Sequence, residues 1–492
     1  MPSAARTLIY IVWLAALTGC MMGPDFHSPD APKTKSYTKS PLSKKTASAP
    51  LKGSAGKAQH FVKVDDIPEE WWTLFRSPAL NDLIKTGIAH SPNLAAAEAT
   101  LRQARETWFA QIGSTMFPSV NVQGNAQRQG FALSTIGVER APIQVFDTFS
   151  TAFNVSYTFD LFGANRRQIE AVRAQLDNQK YQMEAAYLTL TSNIVTIAIN
   201  TASFREQIRV THELIQLQAD QLAIVKKQFT VGGASEADVL SQESQLAATR
   251  ATLPPLQQSL AQSHHALAVL IGALPSEAQL PVLKLEELHL PNELPVSLPS
   301  ALVRQRPDIR ASEELLHAAS AQVGVATANL LPQITLTGTY GWTNPSAHDL
   351  FDPRNVVWSL ASGITQPIFA GGSLRAKQRA AVAGFDAAAA QYKQTVLQAF
   401  QNVADTLRAL ENDAKTLRAQ RQAEVAAEKS LQLTQKQFQL GGVSYTTLLT
   451  AQKQYQQTKI NRVQAEAQRF TDTAVLFQAL GGGWWNRKGK ES

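Results

Sequence analysis

The 492-residue chain has a single cysteine, Cys20. One thiol cannot form an internal disulfide or a Cys-rich zinc site. Charge is also scarce. Asp, Glu, Lys and Arg make up 17% of the chain, against about 25% in an ordinary soluble protein. Gly and Pro stand at ordinary levels, 26 and 23 residues, which excludes a collagen-like or wholly low-complexity chain. The mean hydropathy is −0.16 and no second long apolar run follows the N-terminus. A polytopic bundle of membrane helices is therefore excluded. Catalytic signatures are missing too. The sequence contains no GxxxxGKS/T phosphate loop, no HExxH and no GxSxG. His264 and His265 are adjacent, whereas a ligand pair on one helix face needs i, i+3 or i, i+4 spacing. Two S-x-x-K matches, at Ser36 and Ser54, lie in a Lys-rich stretch without the fold context of a hydrolase. No catalytic, metal or cofactor-binding residue is expected.

The net charge is +7, which raises the question of nucleic acid. The position of the charge answers it. Residues 31–63 hold eight Lys and no Asp or Glu, and residues 64–492 are neutral overall. A phosphate-binding surface needs Lys or Arg clustered on a folded face, so no nucleic-acid partner is expected. The Lys/Ser/Pro/Ala composition of the basic stretch reads as a flexible linker. Upstream of it, Arg6 precedes a ten-residue apolar run, Leu8 to Leu17, followed by Thr18, Gly19 and Cys20. A basic start, a short apolar core and small residues make a secretory signal peptide, and ten residues are too few to span a bilayer.

The rest of the chain repeats itself. Lys227-Gln228-Phe229-Thr230-Val231-Gly232-Gly233-Ala234-Ser235 matches Lys436-Gln437-Phe438-Gln439-Leu440-Gly441-Gly442-Val443-Ser444. Pro92-Asn93-Leu94 similarly matches Pro307-Asp308-Ile309. A period of about 210 residues is a tandem duplication, because solenoid repeats run 20–50 residues. In each half a long helical pattern ends at the Gly pair. Apolar positions such as Val172, Leu176, Ile194 and Val225, or Val396, Val403, Leu407 and Leu410, recur near every 3.5 residues. That spacing predicts helices in a left-handed coiled coil. The Gly pairs suit a helix C-terminus, and Ser235 and Ser444 suit the N-cap of a returning helix over about 235–271 and 444–480.

Four short segments alternate apolar with Ser, Thr or Asn: 118–128, 149–159, 333–342 and 356–366. This pattern is that of transmembrane β-strands, the alternative being an ordinary half-buried soluble sheet. Four strands cannot close a barrel, and about eight is the smallest common number. The remaining strands must come from other copies in a cyclic oligomer. Two copies would supply eight strands and three would supply twelve, and periodicity does not choose between them.

Several motifs then converge: the lipobox Leu17-Thr18-Gly19-Cys20, Trp71-Trp72-Thr73-Leu74-Phe75, Phe159-Asp160-Leu161-Phe162-Gly163, Arg306-Pro307-Asp308-Ile309, Pro367-Ile368-Phe369-Ala370-Gly371-Gly372, both Gly-Gly-x-Ser turns, and Leu480-Gly481-Gly482-Gly483-Trp484. With them the chain resembles the TolC-like outer membrane factor family, in particular its NodT-type efflux lipoproteins. The resemblance implies a mainly α fold with a transmembrane β part. Long coiled-coil helices would form an α-barrel, and four strands per chain would contribute to a trimeric, twelve-stranded outer-membrane β-barrel. It implies lipidation at Cys20, with Met21 after it favouring outer-membrane sorting. It divides the chain into a signal peptide (1–19), a lipidated N-terminus and linker (20–63), a first repeat (64–272), an inter-repeat equatorial segment (273–300), a second repeat (301–481) and a tail (482–492).

The implied function is the exit duct of a tripartite efflux system for small toxic compounds, with a periplasmic adaptor and an inner-membrane pump of resistance-nodulation-division type. The alternatives are a duct for protein or peptide secretion and a non-conducting structural lipoprotein that spans the periplasm. The adaptor would meet the tip turns, at Gly232, Gly233, Ser235, Gly441, Gly442 and Ser444. Relatives close the periplasmic tip partly with acidic residues near the second turn, where this chain has Val443. Glu236 and Asp238 near the first turn, or Tyr445 by its bulk, are the candidates to close the pore here.

Overall fold

The computed structural model describes residues 21–51, 53–63, 67–132 and 143–487. The expected signal peptide and Cys20 lie outside these residues, as do residues 488–492 of the tail. In chain order the helices are α1 (Pro78–His90), α2 (Pro92–Met116), α3 (Ala164–Thr230), α4 (Glu236–Ala251), α5 (Leu253–Leu270), α6 (Pro299–Gln305), α7 (Pro307–Ala328), α8 (Ser373–Gln439) and α9 (Tyr445–Ala479). The strands are β1 (His60–Val62), β2 (Ser119–Phe131), β3 (Gln144–Phe159), β4 (Glu293–Pro295), β5 (Gln333–Asn344) and β6 (Val356–Thr365). No helix among the described residues is long and apolar enough to cross a membrane.

The duplication is plain in the helices. α3 and α8 are each 67 residues long, or about 100 Å at 1.5 Å per residue. The Asp160 carboxylate starts α3 by accepting from Asn165 N at 3.0 Å and Arg166 N at 2.9 Å. Those are backbone donors that a helix N-terminus leaves unpaired. Much of the expected seam is buried: Leu190, Ile194 and Val225 on α3, with Phe204, Ile208, Ile215 and Leu222 half-buried, and Val403, Leu407, Leu410, Ala414 and Leu417 on α8. Phe229, at the end of the seam, is exposed. The returning helices differ from expectation in one respect. In the second half α9 is continuous, but in the first half the helix breaks at Thr252 into α4 and α5. Pro254 and Pro255 explain the break, since neither has an N–H to donate and each ring crowds the preceding turn.

Two compact units divide the described chain, and they do not follow the repeats. One comprises residues 21–29, 100–179 and 311–393; the other comprises residues 30–99, 180–310 and 394–487. The first unit contains a four-stranded antiparallel sheet in the order β2-β3-β5-β6. The second contains an aromatic core in which Trp71 stacks on Phe477 at 5.4 Å and Phe75 packs on Phe470. Trp484 Nε1 donates to Gln305 O at 2.6 Å, and Arg306 joins Asp308 at 2.6 Å and Ala479 O at 3.0 Å. The Trp pairs and the Arg-Pro-Asp motif are thus fasteners of this core.

The Lys-rich stretch is a correction. It was expected as a flexible linker, and it is packed. β1 pairs in parallel with β4. Thr46 N bonds Gln59 O at 2.9 Å, and Ala49 N bonds Gly56 O at 2.8 Å. Helix side chains hold its backbone: Arg408 on Ser40 O, Arg418 on Ser48 O and Arg421 on Pro50 O. Arg469, only 1% exposed, donates to Ala55 O, Lys57 O, Thr46 Oγ1 and Gln59 Oε1. Burial lowers that guanidinium to about 10, with Asp472 and Glu466 opposing the shift. Its neighbour Asp472 is pushed up to about 8, by burial first and then by Asp413.

Arg469→Ala should therefore release residues 46–59 from α9. Several buried acceptors would be left unpaired, at about 1–3 kcal/mol each. Limited proteolysis should then cut after Lys44, Lys45 or Lys57 while the rest of the chain stays intact. Unchanged protection of these sites would show that Arg469 is not the fastener.

Candidate functional site

The sheet has two chemically distinct faces. Strand side chains alternate between faces, so the pairing register decides which of them share one. Val155 opposes Val120 and Gly338; Phe153 opposes Val122 and Tyr340; Tyr157 opposes Leu336; Phe159 opposes Ile334. On the next strand Tyr340 opposes Trp358, and Ile334 opposes Ile364. One face is therefore an apolar band across all four strands. Trp358, Leu360 and Ile364 are exposed there, as are Val120, Val122 and Tyr340. The other face carries Asn121, Asn154 and Thr339, joined in a hydrogen-bonded row at 3.3 and 3.1 Å. Ile334 to Trp342 is nine residues on β5, the length a tilted strand needs to cross the hydrocarbon. Such a face is stable against lipid, and the opposite face against water.

β2 and β6 are the outer strands of the sheet, each with one neighbour. Close packing in the middle leaves no latitude. A Cβ at Gly341 would lie 2.2 Å from Thr151 O and 2.6 Å from Ala152 Cα.

The two helix turns are built alike, bond for bond. Gly233 N donates to Gln228 O at 2.8 Å, and Gly232 N to Phe229 O at 3.1 Å. Gly442 N donates to Gln437 O at 2.8 Å, and Gly441 N to Phe438 O at 3.0 Å. Gly232 and Gly441 have φ of 77° and 74°, a left-handed conformation that glycine adopts without steric cost. Ser235 caps α4 by accepting from Asp238 N, and the Asp238 carboxylate takes Ser235 N at 2.9 Å. Ser444 caps α9 by accepting from Thr447 N at 3.3 Å. Beside the glycines, Val231 and Leu440 are 81% and 86% exposed. Tyr445 is placed differently from a plug: it is buried with Val225, Leu431 and Leu448. Its hydroxyl donates to Gln242 Oε1, and Gln242 Nε2 donates to Gln218 O at 3.0 Å. Burial holds the Tyr445 hydroxyl protonated.

Comparison with known proteins decides what this arrangement is. The family model described as outer membrane efflux protein matches residues 83–273 and 298–482. The chain belongs to the outer membrane efflux protein family. It is 28% identical over 476 residues to the antibiotic efflux pump outer membrane protein ArpC of Pseudomonas putida, covering 96% of this chain and 95% of that one. It is 26% identical to the cation efflux system protein CusC of Escherichia coli, covering 98% and 100%. The solved structure of the outer-membrane channel OprN matches with a TM-score of 0.84 at 26% identity, over 94% of this chain and all of that one.

The segment after Cys20, expected as part of the linker, is packed as well. Met22 N donates to Phe162 O at 3.1 Å. Arg167, 2% exposed, donates to Asp25 at 2.6 Å, Glu170 at 2.7 Å and Met22 O at 3.1 Å. Phe26 stacks on His317 with centroids 4.4 Å apart, and His317 lies 3.0 Å from Glu170 and 3.3 Å from Glu314. One signal was legible: Arg166-Arg167 opens α3, where the helix dipole disfavours a cation. A cation placed there needs anionic partners, and Asp160 and Asp25 supply them.

Glu314, then Glu170, hold the His317 imidazolium above its ordinary pKa against the opposing effect of burial. The sign follows. A raised folded-state pKa contributes stability that is complete below the unfolded value of about 6.5 and is lost as pH rises through the folded value. Thermal melts should therefore show the first unit weakening as pH rises above about 6.5. His317→Gln should remove that pH dependence. A variant that retains the full slope would refute the role of His317.

Proposed function

We propose that three copies of this chain form the exit duct of a tripartite efflux system in the outer membrane. One observation carries the reading: an exposed apolar band across a four-stranded sheet whose outer strands each have an open edge. Lipid tolerates no unpaired strand edge, so the edges must meet those of other copies. Three copies give twelve strands, the number that the family resemblance implies. Lipidation at Cys20 adds an anchor that inserts acyl chains at roughly 0.8 kcal/mol per buried CH₂. We read residues 64–272 and 301–481 as the structural repeats and 273–300 as an equatorial segment between them. The chain has no catalytic role in this reading: solutes pass by conduction, and an inner-membrane pump supplies the energy.

The turns at Gly232-Gly233-Ala234-Ser235 and Gly441-Gly442-Val443-Ser444 are the contact with a periplasmic adaptor. Val231 and Leu440 support this, because exposed apolar side chains at the ends of long helices suit a protein partner. Of the gate candidates, Asp238 is occupied as a cap and Glu236 is the exposed acid. Tyr445 would act by tying the two hairpins together through Gln242 and not by obstructing the pore.

Purified protein in planar bilayers should conduct; a trimer without conductance would favour the structural-lipoprotein alternative. Gly232→Pro and Gly441→Pro should each distort a tip, because proline fixes φ near −65° and removes the donated N–H. Both variants should assemble normally and lose efflux, read as drug susceptibility in cells that carry the partner pump. Normal efflux in both would sink the adaptor-contact assignment.

A further inference from the structure

The two halves of the chain differ where strand meets long helix. Four residues, 160–163, join β3 to α3, whereas seven, 366–372, join β6 to α8. The longer junction carries Ile368 and Phe369, which are 90% and 89% exposed. No other large apolar side chain among the described residues is as open to solvent. In the shorter junction Leu161 and Phe162 are half-buried. The longer junction is nevertheless fastened. Gln366 Nε2 donates to Leu330 O and Pro367 O, both at 3.1 Å. Ser373 N donates to Ala370 O, and Ala376 N to Gly372 O, both at 3.0 Å. The backbone thus holds two apolar side chains outward, an arrangement that water disfavours.

The sheet order identifies the cover that is missing. β3 has a neighbour on each side, and its junction is covered by its own chain. β6 has only β5, and its other side is an open edge. All pairs are antiparallel, so β2 and β6 run in opposite senses. When β6 of one copy meets β2 of the next, the ladder stays antiparallel, and the end of β6 that leads to α8 lies beside the start of β2. At that start α2 ends at Met116, and Phe117 and Pro118 lead into β2; Met116 and Phe117 are 45% and 63% exposed, and Pro118 is exposed too.

We propose that Ile368 and Phe369 of one copy dock on Met116, Phe117 and Pro118 of the next, as an apolar clasp below each strand-edge pairing. The clasp rests on the reading of the chain as a closed oligomer. It is continuous with the edge interface and accounts for two exposed patches on opposite margins of one sheet. It also gives the assembly a direction, since each copy offers the knob on one margin and the receiving surface on the other.

Photocrosslinking in the full-length protein in cells tests the clasp. A benzophenone amino acid at position 369 should give oligomer-sized adducts on denaturing gels, with the linked peptide containing residues 116–118. An assembled trimer whose adducts go only to lipid, or to another segment, would overturn the clasp and leave the duct standing. Absence of any oligomer, with no conductance, would overturn both. A second measurement does not depend on the probe. Phe369→Ser and Phe117→Ser should each weaken assembly in detergent about tenfold or more, the scale of one buried aromatic side chain. Helix content should stay unchanged. The double variant should assemble as weakly as either single one, because both lose the same contact. Losses that multiply would show that the two residues do not meet.

Discussion

In hydrocarbon every backbone N–H and C=O must find a partner within the protein, because water is absent. A sheet with two open edges therefore cannot reside in a membrane by itself. The sheet here ends in β2 and β6, each with one neighbour, while its apolar face lies bare. The rest of the architecture follows from that shortage. The chain needs copies of itself, the copies need margins that fit, and the long helices leaving the sheet inherit the same cyclic arrangement. Gly341 belongs to this constraint as well. Side chains on the inner face must be small where strands crowd, and a single added carbon there would strike Thr151 O.

The second organising interaction is capture of backbone by helix arginines, Arg469 from a buried position and the others from nearer the surface. Arg469 supplies donors to Ala55 O and Lys57 O; Arg408, Arg418 and Arg421 do the same further along the N-terminal stretch. Segments that are poor in apolar residues usually fail to fold, because too little surface is buried to offset the lost entropy. That rule counts side chains. Here the fixed groups are carbonyls, and the donors come from helices far away in sequence. Composition is blind to such an arrangement, which is why a packed segment read as a tether. The lysines of the same stretch that lie among the described residues remain at the surface, so their basic charge lies on the outside of a folded element.

What could be read from sequence was set by local chemistry. The seam at 3.5 residues, the Gly-Gly-x-Ser turns and the alternating strands each depend on neighbours within a few positions, and each is present. The break at Thr252 was legible too, since Pro254-Pro255 is a local signal, but the match to the second half suggested one returning helix over 235–271. Tyr445 was out of reach. Its position one residue after an N-cap suggested a side chain free to obstruct a pore. Its burial depends on Val225 and Gln242, about 200 residues away. Asp25 and His317 were hidden for the same reason, since their partners Arg167 and Glu170 lie 142 and 147 residues away.

Duplication makes the departures from symmetry informative. The two tips share their glycine geometry and differ in their caps. The first uses a carboxylate, Asp238, in a reciprocal box with Ser235; the second uses only hydroxyls, with Thr446 and Thr447 on Ser444. The helix after the first tip is broken by proline and the one after the second is not. In a ring of three copies the halves alternate, so a charged tip with a bent return would lie next to a neutral tip with a straight one. A partner that meets such a ring encounters two kinds of site in strict alternation. It must either carry two matching contacts of its own, engage every second tip, or bind what the tips share: the Gly-Gly turns, the capping serines and the exposed Val231 and Leu440.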